Sequence, residues 1–259
     1  MSATPKYKEK IKALYGPKPI VYIKFCRKKE FTECIINGKL YANTPEYFRN
    51  IELETGIRGQ GDKYELISER IVEDLKFYDR KTNQLMFTAK NEKMTVKYKS
   101  DDLIPLVSFI GIPIYKMNLI NEDNEKFVFG LPFTYDQLSS MKEQFGEWCV
   151  IVEAAELEEK IKEYCQQKEH EYCFEKVIYC CQNERERMIA FDNGSFKRVI
   201  YKNEDLKYQR EYRLAIDMVI PDDHFLKIGK IDKGIIIGPN ENIGDFIMEI
   251  PNCFKDINT

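Results

Sequence analysis

Between Tyr64 and Tyr98 the chain breaks into short strand-like runs, Leu66 to Val72, Leu75 to Tyr78, Gln84 to Ala89 and Met94 to Tyr98, with the turn-forming stretch Arg80-Lys81-Thr82-Asn83 among them. Further runs of this kind are Ile20 to Phe25, Lys39 to Asn43, Leu106 to Leu119 bent at Pro113, Trp148 to Val152, Phe174 to Cys181, Phe196 to Tyr201, Tyr212 to Met218 and Lys233 to Gly238. Helical spacing is confined to Glu30 to Asn37, Glu46 to Asn50, Tyr135 to Phe145 and Ala155 to His170. An alternating βαβ array needs a helix after nearly every strand, and these helices are too few and too uneven. The pattern predicts an α+β fold in which neighbouring strands pair mostly antiparallel.

No repeat, low-complexity tract or Pro-rich linker divides the sequence, so the expected organisation is an N-terminal arm or short helix over residues 1–19 and a single domain over 20–259. Forty Lys and Arg against forty-three Asp and Glu leave a net charge of −3, which excludes a global positive field for non-specific nucleic-acid or membrane binding. The apolar stretch Leu103 to Tyr115 is too short and too interrupted to span a bilayer, and the first ten residues lack the apolar core of a signal peptide. The expectation is a cytoplasmic protein without a membrane partner. Its eight cysteines then read as free thiols. Their spacing, with His170 and His224 as the only imidazoles, matches no zinc knuckle, so no metal site is expected.

The segment richest in chemistry is Tyr208-Gln-Arg-Glu-Tyr-Arg-Leu-Ala-Ile216. Strand alternation puts Gln209, Glu211 and Arg213 on one face and Arg210, Tyr212 and Leu214 on the other. An amide and a carboxylate side by side can hold a ribose hydroxyl and stabilise positive charge growing on an anomeric carbon. The same pattern also fits a surface strand with a Glu211–Arg213 ion pair. In Val21-Tyr-Ile-Lys-Phe-Cys26, Tyr22 or Lys24 can reach a diphosphate or ribose, and Phe25 offers a stacking face. Tyr41, Asn43 and Thr44 can serve a ligand, or Asn43 and Thr44 can cap the helix that Pro45 opens, burying Tyr47 and Phe48. Gly59-Gln60-Gly61 lacks the flanking strand and helix of a phosphate-binding loop. Arg185-Glu186-Arg187 reads as a solvated face.

The order of these segments resembles a large domain-of-unknown-function family of bacterial and phage-associated proteins, some linked to abortive infection. The resemblance rests on Tyr-x-Lys-Phe at 22–25, Gly-Lys-Leu-Tyr-x-Asn-Thr-Pro at 38–45, and Asn-x-Glu at 50–52. Downstream it rests on Gly-Glu-Trp-Cys-Val-Ile-Val at 146–152, Glu-Lys-Val-Ile-Tyr at 175–179, Phe-Lys-x-x-x-Tyr-Lys at 196–202, Glu-Tyr-Arg-Leu at 211–214 and Gly-Ile-Ile-Ile-Gly-Pro at 234–239. That family is similar in turn to the ADP-ribosyltransferase fold, two packed antiparallel sheets with flanking helices.

The resemblance implies a toxin or phage-defence effector that transfers ADP-ribose from NAD to a protein or nucleic-acid acceptor, with an antitoxin or defence partner. Glu211 would then be the catalytic carboxylate and Gln209 would orient the acceptor. NAD would be bound through Tyr22, Lys24, Phe25, Tyr41, Asn43, Thr44 and Arg213. Two alternatives stand beside it: a non-catalytic sensor or binding module of the same fold, and a metal-dependent nuclease using Asp62, Glu65 and Glu211.

Overall fold

The computed structural model describes residues 5–56, 61–123 and 125–251. In chain order the helices are α1 (Pro5–Tyr15), α2 (Lys29–Ile36), α3 (Pro45–Thr55), α4 (Tyr135–Phe145), α5 (Ala154–Gln167) and α6 (Arg185–Asp192). The strands are β1 (Pro19–Cys26), β2 (Lys39–Tyr41), β3 (Ser68–Tyr78), β4 (Leu85–Val96), β5 (Leu106–Pro113), β6 (Asn118–Glu122), β7 (Lys126–Gly130), β8 (Trp148–Glu153), β9 (Tyr172–Lys176), β10 (Ile178–Cys180), β11 (Tyr201–Asn203), β12 (Glu211–Ile216), β13 (Phe225–Lys227), β14 (Gly234–Ile237) and β15 (Ile247–Pro251). The architecture is α+β, with several antiparallel sheets and, among the described residues, no barrel.

The chain divides into two compact units, each assembled from distant segments: residues 1–42, 107–170 and 221–259 in the first, residues 43–106 and 171–220 in the second. In the first unit β14, β8, β1 and β5 are neighbours in that order, all antiparallel. Along β1 the side chains alternate: Val21, Ile23 and Phe25 enter the core with Ile112, Phe127, Phe129, Cys149 and Ile151, while Tyr22 and Lys24 face the other way. Helix α1 is anchored to the same core through Ile11, so the N-terminal segment is a docked helix. A second antiparallel sheet, β15-β7-β6, supplies Phe127 and Phe129. Helix α4 begins at a reciprocal cap between Thr134 and Gln137.

The second unit holds the long β3–β4 hairpin, the antiparallel pair β12–β9 and the parallel pair β10–β11. The four strand-like runs of 66–98 join into two strands, because the polar positions between them continue the ladder on an exposed ribbon. Its core gathers Leu66, Ile104, Leu106, Cys173, Val199, Ile200, Tyr201 and Ala215.

Four expectations change here. Phe196 to Tyr201 is a 3-10 turn over Phe196–Ile200 rather than a strand, since Arg198 bonds back to the carbonyls of Gly194 and Ser195 and folds the chain on itself. Helix α3 runs on to Thr55 and stops at Gly56, whose φ of 67° suits glycine. Tyr47 is exposed and Arg49 is the buried side chain, because its guanidinium finds the Glu65 carbonyl at 2.8 Å and the carboxylate of Asp102. Finally, Arg185 to Arg187 opens α6 with Arg185 and Glu186 exposed, as a solvated face would have them, but with Arg187 buried against the Phe191 ring.

Candidate functional site

Glu211 opens β12, and the residue before it, Arg210, adopts a left-handed φ of 49° that ends the preceding 3-10 turn. That kink breaks regular alternation. Even so, Gln209, Glu211 and Arg213 meet around one side chain that sequence reasoning assigned no role, Lys202 at the centre of β11. Its Nζ donates to Gln209 Oε1 at 3.1 Å and to Glu211 Oε2 at 2.9 Å. Arg213 donates from Nε to Glu211 Oε1 at 2.8 Å and grips Glu65 with two parallel bonds of 2.5 and 3.0 Å, while Nη1 also reaches the Val199 carbonyl at 2.8 Å. Below, the Glu211 backbone N–H donates to Tyr179 Oη at 3.1 Å.

Glu211 is 4% exposed and Arg213 2%, so the Glu211–Arg213 pair read from the sequence exists but is buried, where its partners must be complete. Asp62, also buried, lies against this cluster; its Oδ1 accepts the Tyr64 N–H at 2.9 Å. It is placed by Gly61, where a Cβ would come within 2.4 Å of the Phe48 carbonyl oxygen, so only glycine lets the chain pass α3 this closely.

Three carboxylates, Asp62, Glu65 and Glu211, thus face two cations, Lys202 and Arg213. Burial first, and the Glu65 charge second, push the Asp62 carboxyl up to about 6. Asp62 therefore takes up a proton at a higher pH than an ordinary carboxylate does. Burial opposes the Arg213 charge, but Glu211 and Glu65 outweigh it and hold the guanidinium protonated more firmly than usual. Burial and then the Glu211 charge raise the Tyr179 phenol.

The metal-ligand set Asp62, Glu65 and Glu211 has an ammonium and a guanidinium between its members. Among the described residues no group of three or more His, Cys, Asp or Glu side chains is arranged to hold a metal ion. The seven cysteines described are free thiols.

The remaining candidates have partners of their own. Asn43 exchanges backbone hydrogen bonds with Leu106, and Thr44 caps α3, its hydroxyl accepting the Tyr47 N–H at 3.2 Å; both are in the second unit. In the first unit, Tyr22 Oη donates to Glu158 of α5 at 2.8 Å. Lys24 Nζ donates to the Ser108 carbonyl at 2.7 Å and lies over the Phe109 ring. Phe25 is a core residue, which leaves no face for stacking a base. Tyr41 is half exposed and stacks on the His224 ring at 5.5 Å, with Phe225 edge-on.

The sequence offered Glu65 only as a metal ligand of the nuclease alternative, and no signal in it pairs Glu65 with Arg213 across 148 residues. Lys202 had one, as the last residue of the Phe-Lys-x-x-x-Tyr-Lys segment. Compared with family models, curated proteins and solved structures, the chain matches none.

Proposed function

We propose that this chain is an effector of the ADP-ribosyltransferase type, in fold and in chemistry, which moves ADP-ribose from NAD to a protein or nucleic-acid acceptor. The observation that carries the reading is the meeting of three separate segments, each part of the family resemblance, at one point: Tyr179, Lys202, and Glu211 with Arg213. Gln209 and Glu211 present an amide oxygen and a carboxylate oxygen side by side to one ammonium, as they would to a sugar.

In the reaction, the bond from ribose C1′ to the nicotinamide nitrogen breaks and its electron pair leaves with nicotinamide. Positive charge spreads over C1′ and the ring oxygen. An acceptor nucleophile then bonds to C1′ and gives up its proton. Glu211 stabilises the cation once Lys202 releases Oε2, while Arg213 keeps the carboxylate ionised and fixed. Gln209 orients the acceptor.

One observation favours a second reading, a non-catalytic module of the same fold: both Glu211 oxygens already accept from cations. Incubation of the protein with labelled NAD and a cell lysate separates the two. Transfer requires label on protein or RNA, reduced at least tenfold by Gln209→Ala while the melting temperature holds. NAD binding by calorimetry with no label and no nicotinamide release would establish the second reading, and absence of NAD binding would dismiss both.

A further inference from the structure

Apart from the Lys202 cluster, the second unit holds a group of buried donors that lack acceptors. Arg187, 1% exposed, uses Nη2 to bond the Ile67 carbonyl at 2.9 Å, and its Nε and Nη1 are buried with no partner. It forms no ion pair among the described residues, and the aromatic face of Phe191 is what covers it. Arg70 meets Asp192 through Nη1, at 2.9 and 3.0 Å, and its Nε and Nη2 are likewise buried and unmatched. The Ser68 hydroxyl, on a residue with 0% exposure, and the Gln182 Nε2 complete the set.

These groups share one place. Gln182 Oε1 accepts the Glu69 N–H at 3.2 Å, and Arg187 bonds the carbonyl of Ile67. Backbone groups two residues apart on a strand point the same way, so both side chains sit on the edge of β3 turned away from β4. Ser68 and Arg70 alternate onto a common face of β3 beside that edge. Cys180 adjoins the group: burial pushes its thiol up, while the Arg187 charge and a hydrogen bond from Arg187 pull it down, so the neighbour within reach of the guanidinium's remaining donors is a weak sulfur acceptor and not an anion.

The unmatched atoms are chemically one-sided. Every one is an N–H donor except the Ser68 hydroxyl, which can donate too, and four belong to the two guanidinium groups, which stay charged at any working pH. A buried cation without a counterion is costly, and the group that removes the cost is an anion accepting several hydrogen bonds at once. Planar guanidinium forks fit tetrahedral oxyanions. We infer that Arg187, Arg70, Ser68 and Gln182 form a phosphate-binding site at the edge of β3, separate from the Lys202 cluster and independent of the transferase reading. Its occupant is free inorganic phosphate or the phosphoryl group of a nucleotide.

The test is thermal denaturation and calorimetry of the full chain with inorganic phosphate, with ADP, and with chloride at matched ionic strength. Phosphate or ADP is expected to raise the melting temperature and chloride is not; a response to phosphate identifies the free ion as sufficient, and a response to ADP alone identifies a nucleotide. Arg187→Met removes the buried charge and keeps the bulk. It should bind at least tenfold more weakly, yet melt no lower than wild type in phosphate-free buffer. If neither anion shifts wild type, if chloride does as well, or if Arg187→Met responds as wild type does, the site is refuted. Should Arg187→Met not fold, Gln182→Leu decides: weaker phosphate binding upholds the site and unchanged binding overturns it.

Discussion

Glu211→Gln keeps the shape of the side chain and removes its charge. Because Glu211 is buried and bonded to both Lys202 and Arg213, the substitution leaves one of those cations under-compensated. Arg213 retains its two bonds to Glu65, so the deficit falls on Lys202, whose nearest remaining carboxylate oxygen is Glu65 Oε2 at 3.9 Å. Removing one partner of a buried pair costs about 3–5 kcal/mol, against at most about 1 kcal/mol for an exposed pair. The same logic gives a second arm. Combining Glu211→Gln with Lys202→Met removes the stranded ammonium, and the double variant should recover about 2–3 kcal/mol relative to the sum of the single ones. Urea denaturation of wild type, both single variants and the double variant measures all four corners. A loss below about 1 kcal/mol for Glu211→Gln, or strict additivity, would refute the buried-network argument.

Asp62 makes stability depend on pH. Its carboxyl is raised in the folded chain to about 6, so the folded state holds a proton that the unfolded state gives up near the ordinary carboxylate value. Stability should be fully present below that ordinary value and decline as pH rises through about 6, by up to about 3 kcal/mol at 1.36 kcal/mol per unit. Asp62→Asn, which keeps the acceptor for the Tyr64 N–H, should flatten this decline in melts across pH 4 to 8, and an unchanged slope would count against it. Thr44→Ala should cost about 1 kcal/mol through loss of the α3 cap and leave NAD binding unaltered; a change in NAD affinity without loss of stability would return Thr44 to a ligand role.

What the sequence made legible is what local periodicity encodes. Val21, Ile23 and Phe25 announce β1, Gly146 ends α4, and Leu157, Ile161 and Tyr164 mark the buried stripe of α5. Grouping Gln209, Glu211 and Arg213 was also legible, through their two-residue spacing. Their surroundings were not. Burial of a charge depends on partners supplied from elsewhere, and Glu65 and Lys202 lie 148 and 9 residues from the groups they bind. Arg187 misled for the same reason: it reads as solvated in sequence and is buried where the Ile67 carbonyl accepts from it. Arg49 and Arg198, which the sequence gave no role, are likewise buried against carbonyls or carboxylates. The two units leave no mark in composition, because each is interleaved with the other along the chain and no linker lies between them.

The 148 residues between Glu65 and Arg213 also set a clock. At synthesis rates of about 5–20 residues per second, Glu65 emerges about 7–30 s before the guanidinium that will hold it. Throughout that interval its carboxylate has water as its partner, and the strand that later covers it does not yet exist. The charged knot of the second unit therefore closes late in the life of the nascent chain. A ribosome stalled before residue 213 would carry helices α1 to α6 and the β3–β4 hairpin, but not the completed site.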